Sequence, residues 1–158
     1  MYSHKHYEKS IKINSDRLFL RPIIKNDSEL IVSWRNSSEI RSVSFDNNKL
    51  TIENHLKWFN SNRCNRVDYV FCENTGGKAI GTVHFKNIDE YAESAEAGKL
   101  LGDMNYRKKG LAKEAFVAWI EYGFDVLGLK KIYIFTRKNN TVNINLNKAI
   151  GFSFVEQN

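Results

Sequence analysis

Asn105-Tyr106-Arg107-Lys108-Lys109-Gly110-Leu111-Ala112-Lys113-Glu114-Ala115 is a cationic turn that closes on a glycine and runs straight into an amphipathic helix. The first N–H groups of a helix have no partner inside it, and the helix dipole adds partial positive charge at that end, so a phosphate placed there meets several donors at once. Gly110 brings no Cβ to that approach. The turn has neither the Gly-Lys-Ser/Thr ending of a nucleoside triphosphatase loop nor the Gly-x-Gly-x-x-Gly of a dinucleotide fold. It reads as a pyrophosphate cradle for a different ligand.

Downstream of the turn, Ala112, Phe116, Trp119, Gly123 and Val126 recur at helical spacing, while Glu114, Glu121 and Asp125 lie off that stripe. The helix therefore lays one face on a sheet, and Gly128 stops it. Residues 131–136 read as a strand, and Gly151-Phe152 as a helix end followed by the start of another strand. Upstream, residues 96–103 are strand-like, and residues 67–72 and 79–85 form two strands joined through Thr75-Gly76-Gly77-Lys78, a hairpin. Residues 17–21 alternate and stop at Pro22, the single proline. Asp27 or Ser28 can cap a helix over 29–36, and a short helical turn follows at 39–41. Thr51 caps a helix over 52–60 with Ile52, Leu56 and Phe59 on one face. The expectation is one α/β (α+β) domain over residues 15–158 behind an N-terminal extension of residues 1–14, with a mostly antiparallel sheet and helices on both faces.

At 158 residues the chain has one domain's length, and its 42% hydrophobic and 13% aromatic content argues against disorder. No window approaches the run of apolar residues that a membrane span needs. The first residues carry charge without a following apolar run, so they are not a secretory signal, and the cytoplasm is the expected location. Cys64, Cys72 and the four histidines form no zinc or disulfide framework, and His4 and His6 read as part of the extension rather than as a metal grip. The net charge of +6 is spread over dispersed lysines and arginines without interleaved aromatics. That distribution suits a polyanionic small ligand better than a nucleic acid.

Arg107-x-x-Gly110-x-Ala112 resembles the Arg/Gln-x-x-Gly-x-Gly/Ala motif of the GNAT superfamily of acetyl-CoA-dependent N-acetyltransferases, and the order of elements around it is the order that family has, from about Arg17 to Phe154. The resemblance implies acetyl-CoA as cosubstrate, no metal, and a sheet that splays between the Leu100 strand and the Ile132 strand to admit pantetheine. It implies pyrophosphate binding at Arg107, Lys108, Lys109, Gly110, Leu111 and Ala112. It implies strand pairing of the pantetheine amides at Leu100, Leu101 and Gly102, with a backbone N–H there facing the thioester carbonyl.

Residues 140–152 resemble the family's Asn-x-x-Ser/Ala/Asn-x-x-Leu-Tyr-x-Lys-x-Gly-Phe segment, which would bring Asn140 and Asn143 to the CoA arm. The tyrosine that many relatives use to protonate the departing thiolate falls at Asn147, and an amide is no acid near neutral pH. Either CoA leaves as a thiolate held by Asn147, or a water donates, or the protein binds CoA without turning it over. Several subfamilies, the ribosomal-protein acetyltransferases among them, also lack that tyrosine. Glu96, at the start of the strand leading to the cofactor, matches a glutamate with which related enzymes activate the amine; a carboxylate among apolar neighbours gains proton affinity. A surface carboxylate beside Glu93 is the competing reading. His84 is a second candidate base or substrate contact, or a satisfied structural histidine.

The first half resembles a branch that acetylates nucleotide-linked 4-amino-sugars, as in the pseudaminic acid pathway, through Trp34-Arg35-Asn36…Arg41 and His55-Leu56-Lys57-Trp58-Phe59. An aromatic ring beside an arginine suits a sugar face and a diphosphate. Trp34, Arg35, Asn36 and Arg41 are the acceptor candidates, whereas Trp58 and Phe59 read as anchors of a helix. A protein N-terminus or a polyamine is the alternative acceptor, and a non-catalytic acyl-CoA-binding module is the alternative from another class. Relatives usually continue past the Gly-Phe strand into a final hairpin, whereas this sequence stops at Glu156-Gln157-Asn158. Either the last strand is absent, or a neighbouring subunit covers the edge and the protein is a homodimer.

Overall fold

Alternating apolar residues along the middle of the chain build the sheet, and the computed structural model describes residues 11–155 apart from Asn47 and Asn62. The strands are β1 (Ile13–Asn14), β2 (Leu18–Pro22), β3 (Val67–Glu73), β4 (Ala79–Asp89), β5 (Ser94–Leu101) and β6 (Lys131–Tyr133). The helices are α1 (Ser28–Asn36), α2 (Ser38–Arg41), α3 (Ile52–Asn60), α4 (Leu111–Asp125) and α5 (Thr141–Ile150). Strands lie in chain order across one sheet. Every pairing is antiparallel except β5 with β6, where α4 supplies the long crossover that a parallel pair needs. The expected α/β architecture of a mixed, mostly antiparallel sheet with helices on both faces is present. The residues placed in the N-terminal extension up to Ser10, with His4 and His6, and the terminal Glu156, Gln157 and Asn158 lie outside the described residues.

Period-two alternation sends Val67, Tyr69 and Phe71 of β3, Val83 and Phe85 of β4, and Ala95 and Ala97 of β5 to the face covered by α4. Trp119 is the centre of that core: its ring stacks on Phe85 at 4.6 Å between centroids and meets Tyr69 at 4.9 Å. The buried stripe of α4 is Leu111, Ala115, Phe116, Trp119, Tyr122 and Gly123. The expected stripe is right at Phe116, Trp119 and Gly123. Val126 is exposed, however, because the helix ends at Asp125 and the chain turns away through Gly128. A smaller cluster of Ile31, Trp34 and Ile40, with Leu100 and Met104 against it, fixes α1 and α2 to the opposite face.

Three local readings change. Pro22 sits inside β2 opposite Tyr69 rather than ending the strand before it; β1 pairs only with Phe19 and Leu20, so the missing proline N–H has no ladder to break there. Asp27 does not cap α1 through its side chain; the carboxylate accepts the Ile24 N–H at 2.8 Å and the two Arg21 Nη atoms at 2.8 and 2.9 Å. Thr51 does cap α3, accepting the Asn54 N–H, but the buried residue of α3 is His55 while Ile52 is exposed. No helix among the described residues is long and apolar enough to cross a membrane.

Candidate active site

β5 is paired to β4 from Ser94 to Leu101, but to β6 only at Ser94, Ala95 and Glu96, which face Lys131, Ile132 and Tyr133. The strand expected over 131–136 therefore stops at Tyr133, and the chain after it moves off. From Ala97 to Leu101 the outer edge of β5 has no strand against it among the described residues. An extended polar ligand can pair with such an edge as an added strand. Leu101 joins the α4 core, Leu100 the α1 cluster, and the Gly102 N–H is already given to the Ile80 carbonyl at 2.9 Å.

The open edge leads to the cationic turn. Lys108 (φ 60°) and Gly110 (φ 74°) both take left-handed backbone, which turns the chain sharply into α4. The N–H groups of Lys108 through Lys113 have no acceptor among the described residues, and Arg107, Lys108 and Lys109 are exposed around them. The turn is braced from behind. Arg17 donates through Nη1 to the Lys109 carbonyl at 2.8 Å and through Nε to Glu114 at 2.8 Å, and Glu114 also accepts Ser15 Oγ at 2.6 Å. Burial opposes the Glu114 charge, but the bonds from Ser15 and Arg17 outweigh it and hold the carboxyl below its usual range. The Leu111 side chain is core, so only its N–H faces the turn; Ala112 is half-buried.

Across the opening, Asn140 caps α5 by accepting the Asn143 N–H at 3.3 Å. Asn143 Nδ2 donates to Thr136 Oγ1 at 3.3 Å, and Asn147 Nδ2 donates to the same oxygen at 3.4 Å. Asn147 is buried, and its Oδ1 accepts Lys99 Nζ. That lysine lies over the Phe116 ring, 4.1 Å from its centroid, and burial pulls its pKa from 10.5 down to about 7. Lys99 is absent from the sequence-based candidates. The signal was present: Ala95, Ala97, Lys99 and Leu101 share a face, and a lysine in that series is out of place.

The opposite face of the same strands is polar. His84 of β4 stands between Asp68 on β3 and Gly98 on β5, and an ideal Cβ at Gly98 would lie 2.3 Å from the imidazole, so only glycine lets the ring rest there. Burial drives the His84 pKa to about 4, Asp68 works the other way, and Arg66, Lys86 and Arg35 add to the lowering. Glu96, diagonal to His84, is bonded to Lys86 Nζ at 3.4 Å and Asn87 Nδ2 at 3.2 Å, so its surroundings are polar rather than the apolar ones anticipated. Tyr133 is its neighbour on β6 at the point where the strands part. Asp68 accepts Arg66 through two bonds at 2.7 and 2.8 Å, and Arg66 and Arg63 lie over the Trp58 ring. His55 is buried and its Nδ1 has no partner among the described residues; burial, then Arg35, lowers its pKa.

Of the first-half candidates, Arg35 is exposed and its charge reaches both His55 and His84. Arg41 is half-buried at the end of α2. Trp34 is 7% exposed, its indole lying where a Cβ at Gly102 would be only 2.0 Å away, which gives it a packing role. Asn36 clamps the Leu50 backbone, donating to its carbonyl and accepting its N–H, both at 2.7 Å. Glu96 and His84 thus share one face of β4 and β5, and Lys99 and Asn147 meet on the other.

Residues 17–153 match the acetyltransferase (GNAT) domain family. An uncharacterized protein of Methanocaldococcus jannaschii is 28% identical over 145 residues, which are 89% of this chain but 29% of that protein. Spermidine N(1)-acetyltransferase of Escherichia coli is 25% identical over 134 residues, 85% of this chain and 72% of the relative. The crystal structure of spermidine N-acetyltransferase from Vibrio cholerae in complex with CoA and spermine superposes with a TM-score of 0.78 at 24% identity, over 91% of this chain and 84% of that one. With the family matched over most of its length, and the parted strands and cationic turn in the corresponding order, the chain belongs to the acetyltransferase (GNAT) domain family.

Proposed function

We propose that the chain is an acetyl-CoA-dependent N-acetyltransferase that works by direct transfer in a ternary complex. The observation that carries this is the edge of β5 that is unpaired from Ala97 to Leu101, running into six consecutive N–H groups, both without partners among the described residues. Those amides, with Arg107, Lys108 and Lys109, fit a pyrophosphate, and the edge from Ala97 to Leu101 fits the amides of a pantetheine arm. Asn140 and Asn143 border the same opening, although Asn140 spends its oxygen on the α5 cap and Asn143 its amide on Thr136. Bound there, acetyl-CoA supplies an activated acyl group.

The protein's part is to orient both substrates, take a proton from the ammonium and hold the oxyanion. Glu96 takes the proton, directly or through a water, and His84, kept neutral by burial, lines the path. A backbone N–H on the open edge of β5 holds the oxyanion.

The acceptor in this reading is a nucleotide-linked amino-sugar. Arg35, Arg63, Arg66 and Lys86 surround Asp68 and Glu96 on the acceptor face, a field that favours a substrate carrying phosphate. The likeness to the E. coli spermidine enzyme supports a second reading, a polyamine acceptor. Release of free thiol from acetyl-CoA across UDP-linked amino-sugars, polyamines and peptides with free N-termini separates them. Turnover confined to the nucleotide sugars supports the first, turnover with spermidine overturns it, and acetyl-CoA binding without any turnover points to a non-catalytic module.

A further inference from the structure

We propose that Lys99 is the acid that protonates the departing thiolate, its amine held at the parting of β5 and β6 by Asn147. The proposal rests on the acetyl-transfer reading. A ligand with its anionic end on the 107–113 turn and its arm along β5 runs back from Leu101 toward Ala97, because the turn follows the C-terminal end of that strand. Its reacting end comes to lie beside Gly98 and Lys99. Glu96 and His84 are on the other face of the strand, where they serve the amine, so a separate donor is needed on the Lys99 side.

The lysine is built in. Its chain leaves β5 opposite Val83, crosses the Phe116 ring and reaches Asn147 Oδ1, while Asn147 is fixed in turn by Thr136 beyond β6. Among the described residues the groups facing it are neutral: Val83 on β4, Phe116 on α4, Asn147 on α5 and Thr136 after β6. Burial alone acts on its amine, bringing the pKa to about 7, so both protonation states are populated near neutrality. An unperturbed lysine would hold its proton too tightly, and Asn147 cannot supply one.

The step balances. The acceptor nitrogen forms the new C–N bond, the C–S bond breaks, its electron pair goes to sulfur, and one Nζ proton of Lys99 moves to that sulfur. The acceptor ammonium gives up two protons, one before attack and one as the amide forms, both passing to solvent; neutral Lys99 then regains one of them, and the other is the net proton released.

Wild-type protein is first assayed for acetyl-CoA binding and turnover; absence of turnover would be a failure of the acetyl-transfer reading, read before any variant. Lysine labelled at 13Cε, assigned with Lys99→Arg, then reports the Lys99 midpoint by NMR. CoA, which carries the thiol, is expected to raise that midpoint, and desulfo-CoA to leave it unchanged. An equal response to both ligands, or none, overturns the proposal. In steady state Lys99→Met and Lys99→Arg should lower kcat by about 10²-fold or more with the KM for acetyl-CoA little changed, and the loss of kcat as pH rises through about 7 should disappear. Unaltered kcat in a folded variant, or a stable acetyl adduct on Lys99 by mass spectrometry, also overturns it.

Discussion

The two faces of the central sheet are built to different rules. The α4 face is filled by Trp119, in ring contact with Phe85 and Tyr69, and by Phe116, with Lys99 set into its rim. The α1 and α3 face carries Asp68, His84 and Glu96 on adjacent strands, two glycines that let rings lie on the backbone, and a ring of arginines. One face gains stability from apolar burial and aromatic contact. The other keeps ionisable groups close together, which costs stability and is the usual mark of a reacting surface. A single strand, β5, contributes to both, and its alternation assigns Glu96 to one side and Lys99 to the other.

The comparison can be broken most sharply at Glu96. Glu96→Gln keeps the shape but removes the proposed base, and turnover should fall by about 10²–10⁴-fold while acetyl-CoA affinity, measured by calorimetry, stays the same. On the other face, Lys99→Met returns the rim to an apolar surface. In the wild type the folded pKa is about 7 and the unfolded value 10.5, so between those values the unfolded chain holds more protons and stability rises with pH. The variant should lack that slope and be more stable by roughly 4 kcal/mol at pH 7 and below, with the advantage fading toward pH 10.5 in denaturant titrations.

His84 gives the counterpart on the polar face at lower pH. Its folded pKa of about 4 lies below 6.5, so acidification through that window should cost the wild type roughly 3 kcal/mol, a loss that His84→Gln should not show. Gly102→Ala tests the close approach directly: a Cβ 2.0 Å from the Trp34 ring forces the indole aside, and unfolding free energy should drop by about 1–3 kcal/mol. The smallest effect is expected at Arg17→Ala, which unties the turn from behind and should raise the KM for acetyl-CoA about threefold to tenfold with kcat nearly constant, the loss of one or two exposed hydrogen bonds.

Much of this was legible because it is local. The hairpin glycines, the Thr51 cap, Gly110 ahead of α4 and Gly151 at the end of α5 all follow from what short stretches of backbone require. The shortness of β6 was not legible: residues 134–136 keep strand-like composition, and only their position relative to β5 decides that they leave it. His55 and Ile52 exchanged places because α3 turns its histidine inward beside the Trp58 ring, an arrangement set by tertiary packing that helix periodicity does not reveal. Trp34 and Asn36 looked like acceptor contacts, yet a glycine 68 residues later in the chain and a backbone at Leu50 claim them. Lys99 was readable from alternation, but its depressed basicity needs the burial that Phe116 and Asn147 provide.

Arg137 donates to the Ser44 carbonyl at 2.8 Å and Asn139 to the Ser42 carbonyl at 3.0 Å, joining the chain after β6 to the segment between α2 and α3. Those two bonds act as crossbars between stretches that lie 93 and 97 residues apart in the chain. Any parting of the two stretches must strain them and pull on the segment that Asn36 holds at Leu50.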